Sequence, residues 1–192
     1  MMASDLGVCD ALQPFRSEAL ERWRRLVFDS YPEEAVRFFR SEKDGFKNPV
    51  GHSIHRATER ILDGALLGRD ADAVPEALET IVRIRAVQAF SPAEAVGFVF
   101  LLKRAVREVL EGALPGGLPP GVRSDLEARI DALALSAFEI YTRCREQIFE
   151  IRVREAQRRT AALLERFNRE TPADRPGETG AAASRRGKGV EA

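Results

Sequence analysis

Two cysteines, two histidines and one tryptophan among 192 residues leave little material for metal or redox chemistry. Cys9 and Cys144 are too far apart along the chain for a metal knuckle, and a single pair of thiols makes no disulfide framework. Net charge is missing too, because thirty Lys and Arg balance thirty Asp and Glu. A protein that holds nucleic acid by neutralising phosphates carries a basic excess, so nucleic acid is not an expected partner. Long apolar runs are also absent. The longest, residues 95–102, has eight residues with its glycine included, against about 18 for a membrane span. Asp5 and Asp10 interrupt any leader-like apolar stretch at the start. These absences predict a cytoplasmic protein without direct membrane insertion. At 44% apolar and 31% charged residues, the composition is that of one folded domain.

What the chain does contain is helical punctuation. Pro14 opens an amphipathic stretch over 14–30, with Phe15, Leu20, Trp23, Leu26 and Val27 on one stripe. Pro32, followed by Glu33 and Glu34, predicts a second helix over 32–41 that buries Val36 and Phe38 or Phe39. Asn48-Pro49 is a cap followed by proline at the first helical position, and Gly68 closes the pattern of Ile54, Ala57, Ile61, Leu62 and Ala65. Pro75 starts a helix carrying Leu78, Ile81, Val82, Val87 and Phe90. Ser91-Pro-Ala-Glu94 is a capping box, and the helix it starts, 92–110, is apolar almost all round and expected at the centre of the core. Residues 112–121, rich in Gly and Pro, break the chain. No segment reads as a strand.

From 124 there is no Gly or Pro until Pro172. Leu126, Ile130, Leu133, Ala137, Ile140, Cys144, Ile148 and Ile151 recur at steps of 4, 3, 4, 3, 4, 4 and 3, and after a step of five the pattern resumes at Ala156, Thr160, Leu163 and Phe167. Residues 124–168, if unbroken, extend about 68 Å at 1.5 Å per residue, against about 40 Å for a compact domain of this size. The expectation is an all-α bundle of about six helices over 1–170, ending in one long helix from about 122, with a disordered tail over 171–192. Ile148, Ile151, Ala156, Thr160, Leu163 and Phe167 are the expected partner or dimer surface.

Few residues invite chemistry. His52 and His55 share a helix face and suit a haem axial ligand, but no neighbouring Cys, Asp or Glu completes a metal set. Cys144 falls on the apolar seam, where a thiol is a small hydrophobe. Arg85 and Gln88 lie three apart in an apolar segment, which predicts that both are buried and need partners. Glu146, Glu139 or Asp131 are candidates to supply them, and Asn48, His52, Arg85, Gln88, Arg145 and Glu146 form the candidate ligand site or buried polar cluster. No phosphate loop and no nucleophile, base and acid pattern stands out, so neither catalysis nor a cofactor is expected. Residues 1–142 carry 18 basic and 22 acidic groups and 143–192 carry 12 and 8, so a body of charge −4 precedes an extension of +4.

Lys47-Asn-Pro-Val-Gly-His52, the block from Arg83 through Arg85, Gln88, Phe90 and Ser91 to Lys103, and Tyr141-Thr-Arg-Cys-Arg-Glu146 supply a further reading. With Trp23 and Ser30-Tyr-Pro32, they resemble the N-terminal domain of RsbT co-antagonist proteins of the RsbRD type, over about 14–160. The resemblance implies a globin-related helical sensor domain of stressosome-like signalling assemblies that regulates without catalysis. Its partners would be a second copy of itself, as a homodimer, and an output protein. Such domains usually precede a phosphorylatable STAS domain, which the residues after the long helix are too few to form, so no phosphorylated threonine is carried over. The resemblance also implies two alternatives, a haem- or small-ligand-binding globin-like sensor and an accessory protein of an anaerobic sulfite-reduction respiratory complex.

Overall fold

The computed structural model describes residues 7–34, 36, 48–114 and 116–170, the side chains of 168 and 170 excepted. Among them every regular element is helical. Helix α1 (Val8–Leu12) leads through a 3-10 turn (Gln13–Phe15) into α2 (Arg16–Asp29). Then come α3 (Pro49–Leu67), a second 3-10 turn (Ala71–Ala73), α4 (Val74–Val87), α5 (Pro92–Ala113) and the long α6 (Pro120–Glu170). The all-α class and the long final helix are as expected. The expected helix over 32–41 lies mostly outside the described residues, with Val36 half-buried against the core, and the tail over 171–192 lies outside them entirely.

The start and stop signals work as their chemistry dictates. The Asn48 side chain accepts from the Gly51 N–H at 2.8 Å with Pro49 behind it. At the other end of α3, Gly68 takes the left-handed conformation at φ 68°. Ser91 Oγ accepts from the Glu94 N–H at 3.3 Å while Glu94 Oε2 accepts from the Ser91 N–H at 2.9 Å, closing the capping box of α5.

Four boundaries differ from expectation, the end of α5 among them, at Ala113 rather than 110. The first long helix begins at Arg16 rather than Pro14, because Pro14 sits in the 3-10 turn after the five-residue α1, which is too short to show a period. Helix α4 ends at Val87, short of Phe90, because Ala89 adopts φ 61° and turns the chain. Helix α6 begins at Pro120, inside the expected break, since a proline in the first turn gives up an N–H that has no helical partner anyway.

The chain divides into two units, 1–150 and 151–192. In the first, α2 packs chiefly on α5 and α3 on α4. Trp23 and Val27 of α2, Ile54, Ile61 and Leu66 of α3, Leu78 and Ile81 of α4, Phe98 and Leu102 of α5, and Leu126 and Ile130 of α6 are all buried in one core. Trp23 Nε1 donates to the Phe98 carbonyl at 2.8 Å, so the indole N–H is satisfied inside. The approach of α3 to the turn before α4 depends on Gly64, where an added Cβ would collide with the Val74 side chain. Helix α5 is less enclosed than its composition suggests, since Phe100 is half exposed.

Helix α6 enters this core with its expected stripe, as Leu126, Ile130, Leu133, Ala137, Ile140 and Cys144 are buried. Tyr141 Oη donates to the Phe90 carbonyl at 2.8 Å, and Arg129 Nη1 to that of Ala65 at 3.3 Å. Ile148 is half-buried against the core. In the second unit, residues 151–167 are all exposed along α6.

Candidate functional site

Two places in the molecule carry more than packing: a buried guanidinium in the first unit and an apolar helix face. Arg85, on α4, is 1% exposed. Its Nη1 donates to the Glu94 carbonyl at 2.7 Å and its Nη2 to Ser30 Oγ at 2.8 Å. Its guanidinium carbon lies 4.9 Å from the Tyr31 ring centre, 5.3 Å from that of Phe90 and 5.4 Å from that of Phe98. Tyr31 and Phe90 themselves meet edge to face. Among the described residues no carboxylate forms an ion pair with Arg85, and its Nε has no hydrogen-bond partner. Ring faces and neutral oxygens therefore hold the charge. Burial pushes the guanidinium pKa down, opposed by the neighbouring Tyr31 and Glu94. The Tyr31 phenol is pushed up, again by burial, with the Arg85 cation opposing.

This corrects the expected polar cluster. Arg85 and Asn48 are buried, but Gln88, His52 and Glu146 are exposed and Arg145 is intermediate. Gln88 is the last residue of the helical spiral, its N–H still bonded to the Ile84 carbonyl, and three residues on from Arg85 it falls about 60° away round the helix, on the exposed side. The expected carboxylates of α6 are replaced by Ser30 and the Glu94 main chain. Asn48 is occupied as a cap. Both histidines are exposed on α3, and the His55 ring packs 5.2 Å from that of Phe28. Burial, then the Arg24 and His52 charges, hold His55 below its ordinary 6.5. Among the described residues no three His, Cys, Asp or Glu side chains group as a metal site.

Sequence reasoning missed a polar seam between α2 and α3. Arg16 forks onto Asp63, with Nε at 2.6 Å and Nη2 at 2.7 Å, and also reaches Glu59 at 2.9 Å. These bonds raise its pKa. Arg24 Nη2 donates to the His55 carbonyl at 2.6 Å and Nε to Thr58 Oγ1 at 3.1 Å. Glu59 and Asp63 lie four apart, which was the available signal. A groove of about 800 Å³ also opens between the 64–79 region and α6, bordered by Asp72, Glu76, Glu79, Glu139, Arg129 and Arg143.

On α6 the expected partner surface splits in two. A step of five residues turns a helix by about 140°, so Ala156, Thr160, Leu163 and Phe167 are out of phase with the buried stripe that Ile148 and Ile151 continue. They are in phase with Phe149 and Val153. Phe149, Leu163 and Phe167 are each about two-thirds exposed.

Fold and site together define an all-helical domain whose distinguishing residues converge on one buried cation, with no metal-ligand cluster among those described. Residues 17–158 match the family described as the RsbT co-antagonist protein rsbRD N-terminal domain, and the chain belongs to that family, which is of signalling type. No curated protein and no solved structure matches the chain significantly. The stretches that carried the resemblance supply Trp23, Ser30, Tyr31, Arg85, Phe90, Glu94, Phe98 and Tyr141, the residues that surround or brace the buried guanidinium.

Proposed function

We propose that the chain is a non-catalytic, cytoplasmic signalling module, globin-related in its helical unit, which acts through protein contacts of α6 beyond Glu150 with a second copy and with an output protein. The observation that carries this reading is the exposure of every residue over 151–167, Ile151, Val153, Leu163, Leu164 and Phe167 among them, on a helix whose preceding turns pack into a core. Apolar side chains of that size, grouped on one element, suit a protein interface. No helix among the described residues is long and apolar enough to cross a membrane. Affinity capture from the native host tests the reading, comparing the intact chain with Leu163→Glu/Phe167→Glu. Loss of specific co-purifying proteins from the double variant is expected. Identical sets from both baits overturn the proposal.

A further inference from the structure

The groove between the 64–79 region and α6 lies wholly in the first unit, and none of the contacts described above uses it. We propose that it docks one amphipathic helix of a partner protein, apolar on the side that meets the floor and basic along one flank. Leu78, Leu133 and Ile140 are buried at the floor, with Ala65 and Val74 half-buried beside them. The depth comes from small residues. Gly64 on α3, Ala71 in the turn, and Ala132 and Ser136 on α6 leave open a space that larger side chains would fill. From Arg129 to Arg143 the α6 wall is about 21 Å long at 1.5 Å per residue. That length matches about four turns of a docked helix, whose apolar residues at i, i+3, i+4 and i+7 meet such a floor.

Charge selects the class of partner. The 64–79 wall presents Asp72, Glu76 and Glu79 to the groove and no basic side chain. Glu76 pairs with Arg60 at 3.6 Å and Glu79 with Arg83 at 2.6 Å, but both pairs are open to water, where such contacts are weak, and the carboxylates stay available to a ligand. On the α6 wall Glu139 offsets Arg143, and Arg129 is already held by Asp125 at 2.9 Å and by the Ala65 carbonyl. The negative excess is therefore confined to one wall. A helix with Lys or Arg along one flank meets it with that flank turned toward 72–79. Residues 1–142 carry a net charge of −4, so the surrounding field attracts a basic segment and disfavours nucleic acid or an anionic lipid surface.

Random peptides of about 16 residues displayed on phage, selected on the full chain and depleted on Ala132→Trp, supply the probe. Ala132 is exposed on the α6 wall, so an indole there fills the groove without entering the core, and circular dichroism checks that each variant folds. The enriched peptides are expected to be amphipathic, with Lys or Arg along one flank. In fluorescence anisotropy such a peptide should bind at least about tenfold more weakly to Ala132→Trp and to Glu76→Lys/Glu79→Lys. Its binding to the unsubstituted chain should also weaken as salt rises from about 50 to about 300 mM. An acidic or uncharged consensus overturns the basic class of partner. No enrichment, or peptides that bind Ala132→Trp as well as the unsubstituted chain, overturns the groove as a docking site. Self-association in light scattering that Ala132→Trp abolishes and Leu163→Glu/Phe167→Glu leaves intact overturns the partner helix in favour of a second copy. The contacts proposed for α6 beyond Glu150 stand or fall separately on the capture experiment.

Discussion

Arg85 is the residue at which this fold is most exposed to substitution. Desolvating a cation without a carboxylate is unfavourable, and here two hydrogen bonds and three ring faces offset it. Arg85→Ala removes those bonds and opens a cavity among the rings, so a loss of about 3 kcal/mol is expected in urea unfolding followed by circular dichroism. Arg85→Met keeps most of the volume and carries no charge to desolvate, so its loss should be about 1 kcal/mol or less. Equal losses would show that the charge itself, rather than the filled space, stabilises the site. His55 gives a second prediction at this scale. Because the folded state holds its pKa below 6.5, the unfolded chain takes up the proton first as pH falls, so stability is full above about pH 7 and declines as pH falls below 6.5. The urea midpoint should drop between about pH 7.5 and about pH 5.5, and His55→Gln should flatten that drop. From sequence alone the burial of Arg85 was legible in its apolar neighbours. Its partners were not, because Ser30 and Phe98 come from other helices and local spacing carries no information about them.

Helix boundaries were the most legible feature, because caps are local chemistry. Asn48, Gly68 and Ser91 each act within five residues of their own position. What local patterns could not supply were left-handed or close-packed positions set by tertiary contact. Ala89 is one, at φ 61° in the turn that swings Phe90 toward Tyr31 and Arg85. An alanine there is strained by about 1 kcal/mol, partly offset by the restraint it places on the unfolded chain, so Ala89→Gly should raise stability by about 0.5 kcal/mol. Gly64 is the opposite case. Gly64→Ala drives a methyl into Val74, and a loss of about 1–3 kcal/mol is expected as α3 is pushed from the following turn. Thermal unfolding of the two variants checks both signs at once.

For the whole molecule, the consequence of two units is that stability and association are separable. No side chain over 151–167 is buried, so deleting residues 151–192 should leave the unfolding free energy of the first unit within about 0.5 kcal/mol of the full chain. The same deletion should abolish self-association in light scattering. A large loss of stability would mean that the first unit leans on the extension. The seam that suggested this division was visible in the sequence, but as a single line of apolar residues. The five-residue step from Ile151 to Ala156 marks a change of face: the stripe up to Ile148 packs on a core, and the residues from Ile151 to Phe167 are exposed.

Trp23 is the sole tryptophan, and Tyr31 and Tyr141 are the two tyrosines, all three buried in the first unit. Intrinsic fluorescence therefore reports on that unit alone. Emission from the indole will track the opening of the α2 and α5 contact, while pairing or fraying of the helix after Glu150 passes unseen unless a fluorophore is introduced there. Native fluorescence combined with a changed partner response would thus localise a fault to the C-terminal helix.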